Sequence, residues 1–103
     1  MRRVRISNTA RTAFQTMLEQ GAEKFGIAVA MEKERLVYDA MRTYLAEYPH
    51  HGLTTPGTAF RHHLVDRTPF VVVYEYDDTE LRVLFIKHRH ADRRDLDPHD
   101  VEW

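Results

Sequence analysis

Two runs of β-branched and aromatic residues stand close together late in the chain, Phe70 to Tyr76 (FVVVYEY) and Leu81 to His88 (LRVLFIKH). Such runs suit strands, and Asp77 with Asp78 between them supplies a turn. The two form a meander hairpin. The second run is apolar at Leu81, Val83, Leu84, Phe85 and Ile86, the pattern of a strand buried on both faces or nearly so. Pro69 is compatible with this, because the first residue of a strand need not donate to the ladder. A sheet this apolar needs cover, and the rest of the chain must provide it.

Met1 to Ser7 alternates Val4 and Ile6 with Arg3, Arg5 and Ser7, a period of two that predicts an N-terminal strand with one buried face. Ser7, Asn8 or Thr9 then caps a helix whose apolar positions are Ala10, Ala13, Phe14, Met17 and Leu18. Gly26 ends it. Gly21 inside it costs about 1 kcal/mol against Ala, which points to close packing with the next element. A second helix is predicted from Ile27 to Tyr48, with Ala30, Val37, Met41, Tyr44, Leu45 and Tyr48 on a core-facing stripe. Pro49 stops it, and His50 to Gly57 reads as loop. Phe60 to Val65, carrying Arg61, His62 and His63, is a further strand. Strand, helix, helix and three strands predict one α+β domain over residues 1–103. Its two-helix hairpin packs on one face of a small, largely antiparallel sheet of about four strands.

Composition narrows the function classes. A chain of 103 residues supports one modest core. It has no Cys, which excludes a disulfide framework and thiolate metal sites. No apolar run approaches a membrane span, so a cytoplasmic protein without membrane contact is expected. The net charge of -1 argues against a strongly basic nucleic-acid coat. That average hides a polarity: Arg82, Lys87, Arg89, Arg93 and Arg94 stand against Asp92 alone, whereas Asp95, Asp97, Asp100 and Glu102 follow with no basic side chain among them. The seven His suggest a metal at first sight. However, His62 and His63 point to opposite faces of a regular strand, and no carboxylate or Cys pattern completes a shell around His88 and His90. No metal or other cofactor is expected.

Several residues together resemble the RelE/ParE superfamily of bacterial toxins from type II toxin-antitoxin pairs, and the resemblance covers nearly the whole chain. It rests on the first strand ending in Ser7, the helical hairpin bending at Gly26, and the helix ending near Pro49 and Gly52. It continues through Arg61, the strand Pro69-Phe70-Val71-Val72-Val73-Tyr74 and the closing strand Arg82-Val83-Leu84-Phe85-Ile86-Lys87-His88. Arg93-Arg94-Asp95 stands a few positions later than the family pattern places its basic residue and Asp.

The resemblance implies a plasmid-stabilisation type toxin, held inactive by a cognate antitoxin that covers its sheet. In a RelE-like member the toxin is an endoribonuclease that cuts mRNA at the ribosome. The alternative is a ParE-like inhibitor that binds DNA gyrase without catalysis. Metal-free RNA cleavage uses the 2′-hydroxyl as nucleophile and needs proton carriers and phosphate stabilisation. For that chemistry His88 is the expected general acid or base, Arg61 and Arg89 hold the phosphate, and His63 or His90 is the second proton carrier. The near-neutral charge, and a terminus of Val101-Glu102-Trp103 without a Tyr or His-Tyr pair, depart from the nuclease pattern and raise the inhibitor reading.

Overall fold

The computed structural model describes residues 1–54, 56–91 and 96–103. Thr55 of the expected loop, Asp92 of the charge count and the Arg93-Arg94-Asp95 segment lie outside the described residues. The elements in order are β1 (Arg3–Ile6), α1 (Asn8–Phe25), α2 (Ile27–Asp39) continuing as a π-helical segment (Ala40–Leu45), and a 3₁₀ turn (Pro49–His51). Then come β2 (Leu53–Thr54), β3 (Arg61–Leu64), β4 (Phe70–Tyr76), β5 (Glu80–His88) and a last 3₁₀ turn (Pro98–Asp100).

Among the described residues, five strands form one mixed sheet in the order β1-β5-β4-β3-β2. β1 runs parallel to β5, and the other pairs are antiparallel. The α+β architecture is therefore as predicted, with a two-residue fifth strand where the sequence suggested only loop. Its short length and lack of a buried residue left no period to detect.

Both helices cover one face. Ala10, Phe14 and Leu18 of α1 and Val37, Met41 and Leu45 of the second helix pack on Phe70, Val72 and Tyr74 of β4 and Leu81, Val83 and Ile86 of β5. The Phe14 ring meets Phe70 edge-on at 5.2 Å, a geometry aromatic pairs favour. The opposite face carries a smaller cluster of Phe60, Val71, Val73, Leu84 and Phe85, capped by Leu96 and Val101 of the C-terminal segment. This second cover explains why β5 is apolar along nearly its whole length.

A bulge decides which residues of β5 face which way. Val73 pairs with Phe85 and Tyr74 with Val83, so Leu84 is the extra residue. Leu84 and Phe85 both join the outer cluster, and Val83 and Ile86 the helix-facing one. The fully buried Ser7 holds this irregularity. Its hydroxyl donates to the Leu84 carbonyl at 2.7 Å and accepts from the Ala10 amide at 2.9 Å as the N-cap of α1. At the other end of α1, Gly26 takes φ 96° and its amide closes on the Ala22 carbonyl, a turn that L side chains resist.

Two expectations about the helices are corrected. Gly21 marks no close packing, because a Cβ placed there meets nothing within 4 Å. The second helix does not keep one phase to Tyr48. The π-helical turn shifts it, burying Met41 and Leu45 while Tyr44 and Tyr48 stay 39% and 42% exposed.

Candidate functional site

The residues singled out for chemistry fall into two groups. The first lies at the exit of β5. The His88 Nδ1 accepts the His90 amide at 3.3 Å, and the two rings sit 5.3 Å apart. Arg89 donates from its backbone to the Pro69 carbonyl at 2.7 Å, tying the exit to the start of β4. Its Nε lies 3.3 Å from His90 Nε2. His88, Arg89 and His90 are thus neighbours on an exposed turn.

The second group lies across the sheet on β3, beside the end of the second helix. Arg61 stands opposite Tyr74, and His63 opposite Val72. One Arg61 nitrogen donates to the carbonyls of His50 at 3.1 Å and Gly52 at 2.9 Å. Its guanidinium lies 5.8 Å from the Tyr76 ring centre. Arg61 therefore clasps the turn before β2. The same turn is held from below by the buried Tyr74 hydroxyl, which accepts from the Gly52 amide at 3.0 Å and donates to the Pro49 carbonyl. Gly52 is required here, since an added Cβ would come within 2.9 Å of the Tyr74 ring carbon.

His88 stands opposite Phe70, four residues along β4 from Tyr74, the partner of Arg61. With strands ~4.8 Å apart and ~3.3 Å per residue, Arg61 and His88 are separated by about 16 Å of backbone. His63 is nearer His88 along the strands but belongs with Arg61's group. The fold brings His88 together with Arg89 and His90, and Arg61 together with His63; it does not bring the two sets together.

Around His63 the structure adds residues that sequence reasoning placed elsewhere. The Tyr44 hydroxyl and His51 Nδ1 are 2.6 Å apart. The Tyr44 ring lies 5.4 Å from both His51 and His63, and Tyr48 stacks on His51 at 5.2 Å with planes 8° apart. Burial of the His63 ring, aided by the charge of His51, lowers its pKa below the usual imidazole value. The available signal was the adjacency of Tyr44, Tyr48 and His50-His51 around Pro49. The π-helical turn, invisible to a regular helical period, hid it.

Among the described residues no group of three or more His, Cys, Asp or Glu is placed to hold a metal ion, and no helix among them is long and apolar enough to cross a membrane.

No protein-family model matches the sequence, and a search of curated proteins finds no match. Solved structures do match. A chain from the chromosomal ParDE TA system of P. aeruginosa superposes with a TM-score of 0.69, at 13% identity, over 85% of this chain and 96% of its own. A chain from the toxin-antitoxin complex RelBE2 of Mycobacterium tuberculosis gives a TM-score of 0.56, at 19% identity, over 87% of this chain and 93% of its own. The protein therefore has a RelE/ParE-like fold, shared over most of its length with these two solved chains.

Proposed function

We propose that the protein is the toxin of a type II toxin-antitoxin module, kept inactive by a cognate antitoxin. The similar chains both come from toxin-antitoxin systems, and the likeness spans most of this chain and nearly all of theirs. Within that class the geometry favours a ParE-like toxin that acts by binding, with DNA gyrase as target. The observation that carries this is the separation of Arg61 from His88, together with the use of Arg61 as a clasp on the His50 and Gly52 carbonyls. A metal-free nuclease needs its proton carriers and phosphate-binding cation within reach of one phosphodiester. The net charge of -1 also offers little attraction to ribosomal RNA.

One observation favours the RelE-like reading, cleavage of mRNA at the ribosome. His51 and His63 flank the Tyr44 ring, two imidazoles on one rim, and two imidazoles can serve as acid and base. Induced expression in bacteria separates the readings. A ParE-like toxin stops growth with failed gyrase supercoiling and accumulating DNA breaks, while mRNA stays intact. Cut mRNA that disappears in a His51→Ala, His63→Ala variant would establish the nuclease reading instead. Unchecked growth, with no small partner gene beside this one, would remove the toxin reading altogether.

A further inference from the structure

The helical hairpin has a second face, built by α1 and α2 alone. Between the two helices runs a shallow groove of about 230 Å³, and no residue of the sheet lines it. From α1 it takes Leu18, Glu19 and Ala22. From α2 it takes Ile27, Ala30, Met31 and Glu34, spaced i, i+3, i+4, i+7 along one side of the helix. Leu18 is buried and the two alanines half-buried, so the floor is low and smooth, whereas Ile27 is 70% and Met31 64% exposed. Two large apolar side chains left in water beside an apolar floor mark a contact surface on a small domain.

The charges on its two sides have one sign. Glu19 stands on the α1 wall and Glu34 on the α2 wall, and no Lys or Arg lines the groove. Neither carboxylate belongs to an ion pair among the described residues. Glu19 receives only the neutral Gln15 amide, at 3.5 Å, which leaves its charge in place. The nearest cation along α2 is already committed, because Arg35 bonds both oxygens of Glu32 at 2.5 and 3.1 Å and Asp39 at 2.8 Å. Beyond Glu34 the surface turns mixed in charge, with Arg35, Asp39 and Arg42 bordering the next hollow. The acidic stretch therefore coincides with the apolar groove.

We propose that this outer face of the hairpin docks a basic amphipathic helix of a partner protein. The apolar side of that helix rests on Leu18, Ile27 and Met31, and its Lys or Arg side chains face Glu19 and Glu34. Two neighbouring helices with rows at this spacing form the groove into which the ridge of a third helix packs. Ala22 and Ala30 let it come close, and the flexible Met31 adapts to the shape of its side chains. An extended peptide gains little here, because the backbone of α1 and α2 is spent within the helices and offers no ladder, whereas a helix satisfies its own backbone. A second copy of this chain is the poorer occupant, since a two-fold contact sets Glu19 and Glu34 against the same carboxylates. The inference is independent of the target assigned above.

The test titrates the full chain into labelled helical peptides at low salt and reads fluorescence anisotropy. One peptide carries leucine on one side and lysine on the other; a second replaces the lysines by glutamate, and a third has the composition of the first in scrambled order. The basic amphipathic peptide should bind at least about tenfold more tightly than either of the others. Ile27→Gln with Met31→Gln, exposed changes that keep helix-forming residues, should weaken its binding about tenfold. Glu19→Lys with Glu34→Lys should turn the preference toward the acidic peptide, and circular dichroism checks that both variants fold. No binding, equal binding of the basic and scrambled peptides, or indifference to the glutamine variant would overturn the proposal. A dimer in sedimentation that the glutamine variant abolishes would overturn it as well, by giving the face to a second copy.

Discussion

Arg61 and His88 stand on the two strands flanking β4 but pair with opposite parts of it, Arg61 with Tyr74 and His88 with Phe70. The two backbones therefore lie about 16 Å apart, and Arg61 bonds the carbonyls of His50 and Gly52. Arg61→Ala should remove the clasp on the His50 and Gly52 carbonyls and destabilise the fold by about 1–2 kcal/mol. Chemical denaturation measures this. An unchanged midpoint would remove the clasp from the account.

Ser7 serves a helix end and a bulge with one hydroxyl, as N-cap to Ala10 and as donor to Leu84. Ser7→Ala removes both and strands a buried carbonyl, so a loss of about 2–3 kcal/mol is expected. Ser7→Thr should recover part of it in the same thermal melts.

Gly21 is the place where the chain can be improved. It lies within α1, with open space where a Cβ would go. Gly21→Ala should stabilise the protein by about 1 kcal/mol, seen as a raised Tm.

Acid should loosen the β4–β5 hairpin first. Arg82 bonds to Asp77, Glu75 and Glu80. Its guanidinium, helped by the amides of Thr79 and Glu80, holds the Asp77 pKa well below the usual carboxylate range. The depressed value means that the native state binds fewer protons than the unfolded chain. The contribution is complete above an unfolded pKa of about 4 and fades as pH falls below it. Asp77→Asn should flatten the fall of Tm with pH in that range, and an unchanged slope would remove Asp77 from the account.

His63 acts in a higher window with the same sign. Its pKa is lowered by burial and by His51, so protonation favours the unfolded chain. Stability should decline as pH drops below about 6.5 and through the native value. His63→Asn should remove this component between neutral pH and pH 5, measured as midpoint denaturant concentration. Persistence of the slope would assign it to other histidines.

The sequence by itself determined the kinds and order of the main elements. Alternation marked β1, a helical period with a cap at Ser7, Asn8 or Thr9 and a stop at Gly26 marked α1, and the apolar runs marked β4 and β5. Together they were enough for the α+β class and the resemblance to RelE and ParE toxins. Of the candidate site, the neighbourhood of His88, Arg89 and His90 was legible because those residues are consecutive. The distance from Arg61 to His88 was not, because periodicity tells which face a residue occupies but not how far along its neighbour a strand is registered. That register, the Leu84 bulge that re-aims the end of β5, and the π-helical turn that swings Tyr44 toward His51 and His63 were decided by tertiary structure. In each, packing of the two apolar faces outweighs the local preference for regular geometry.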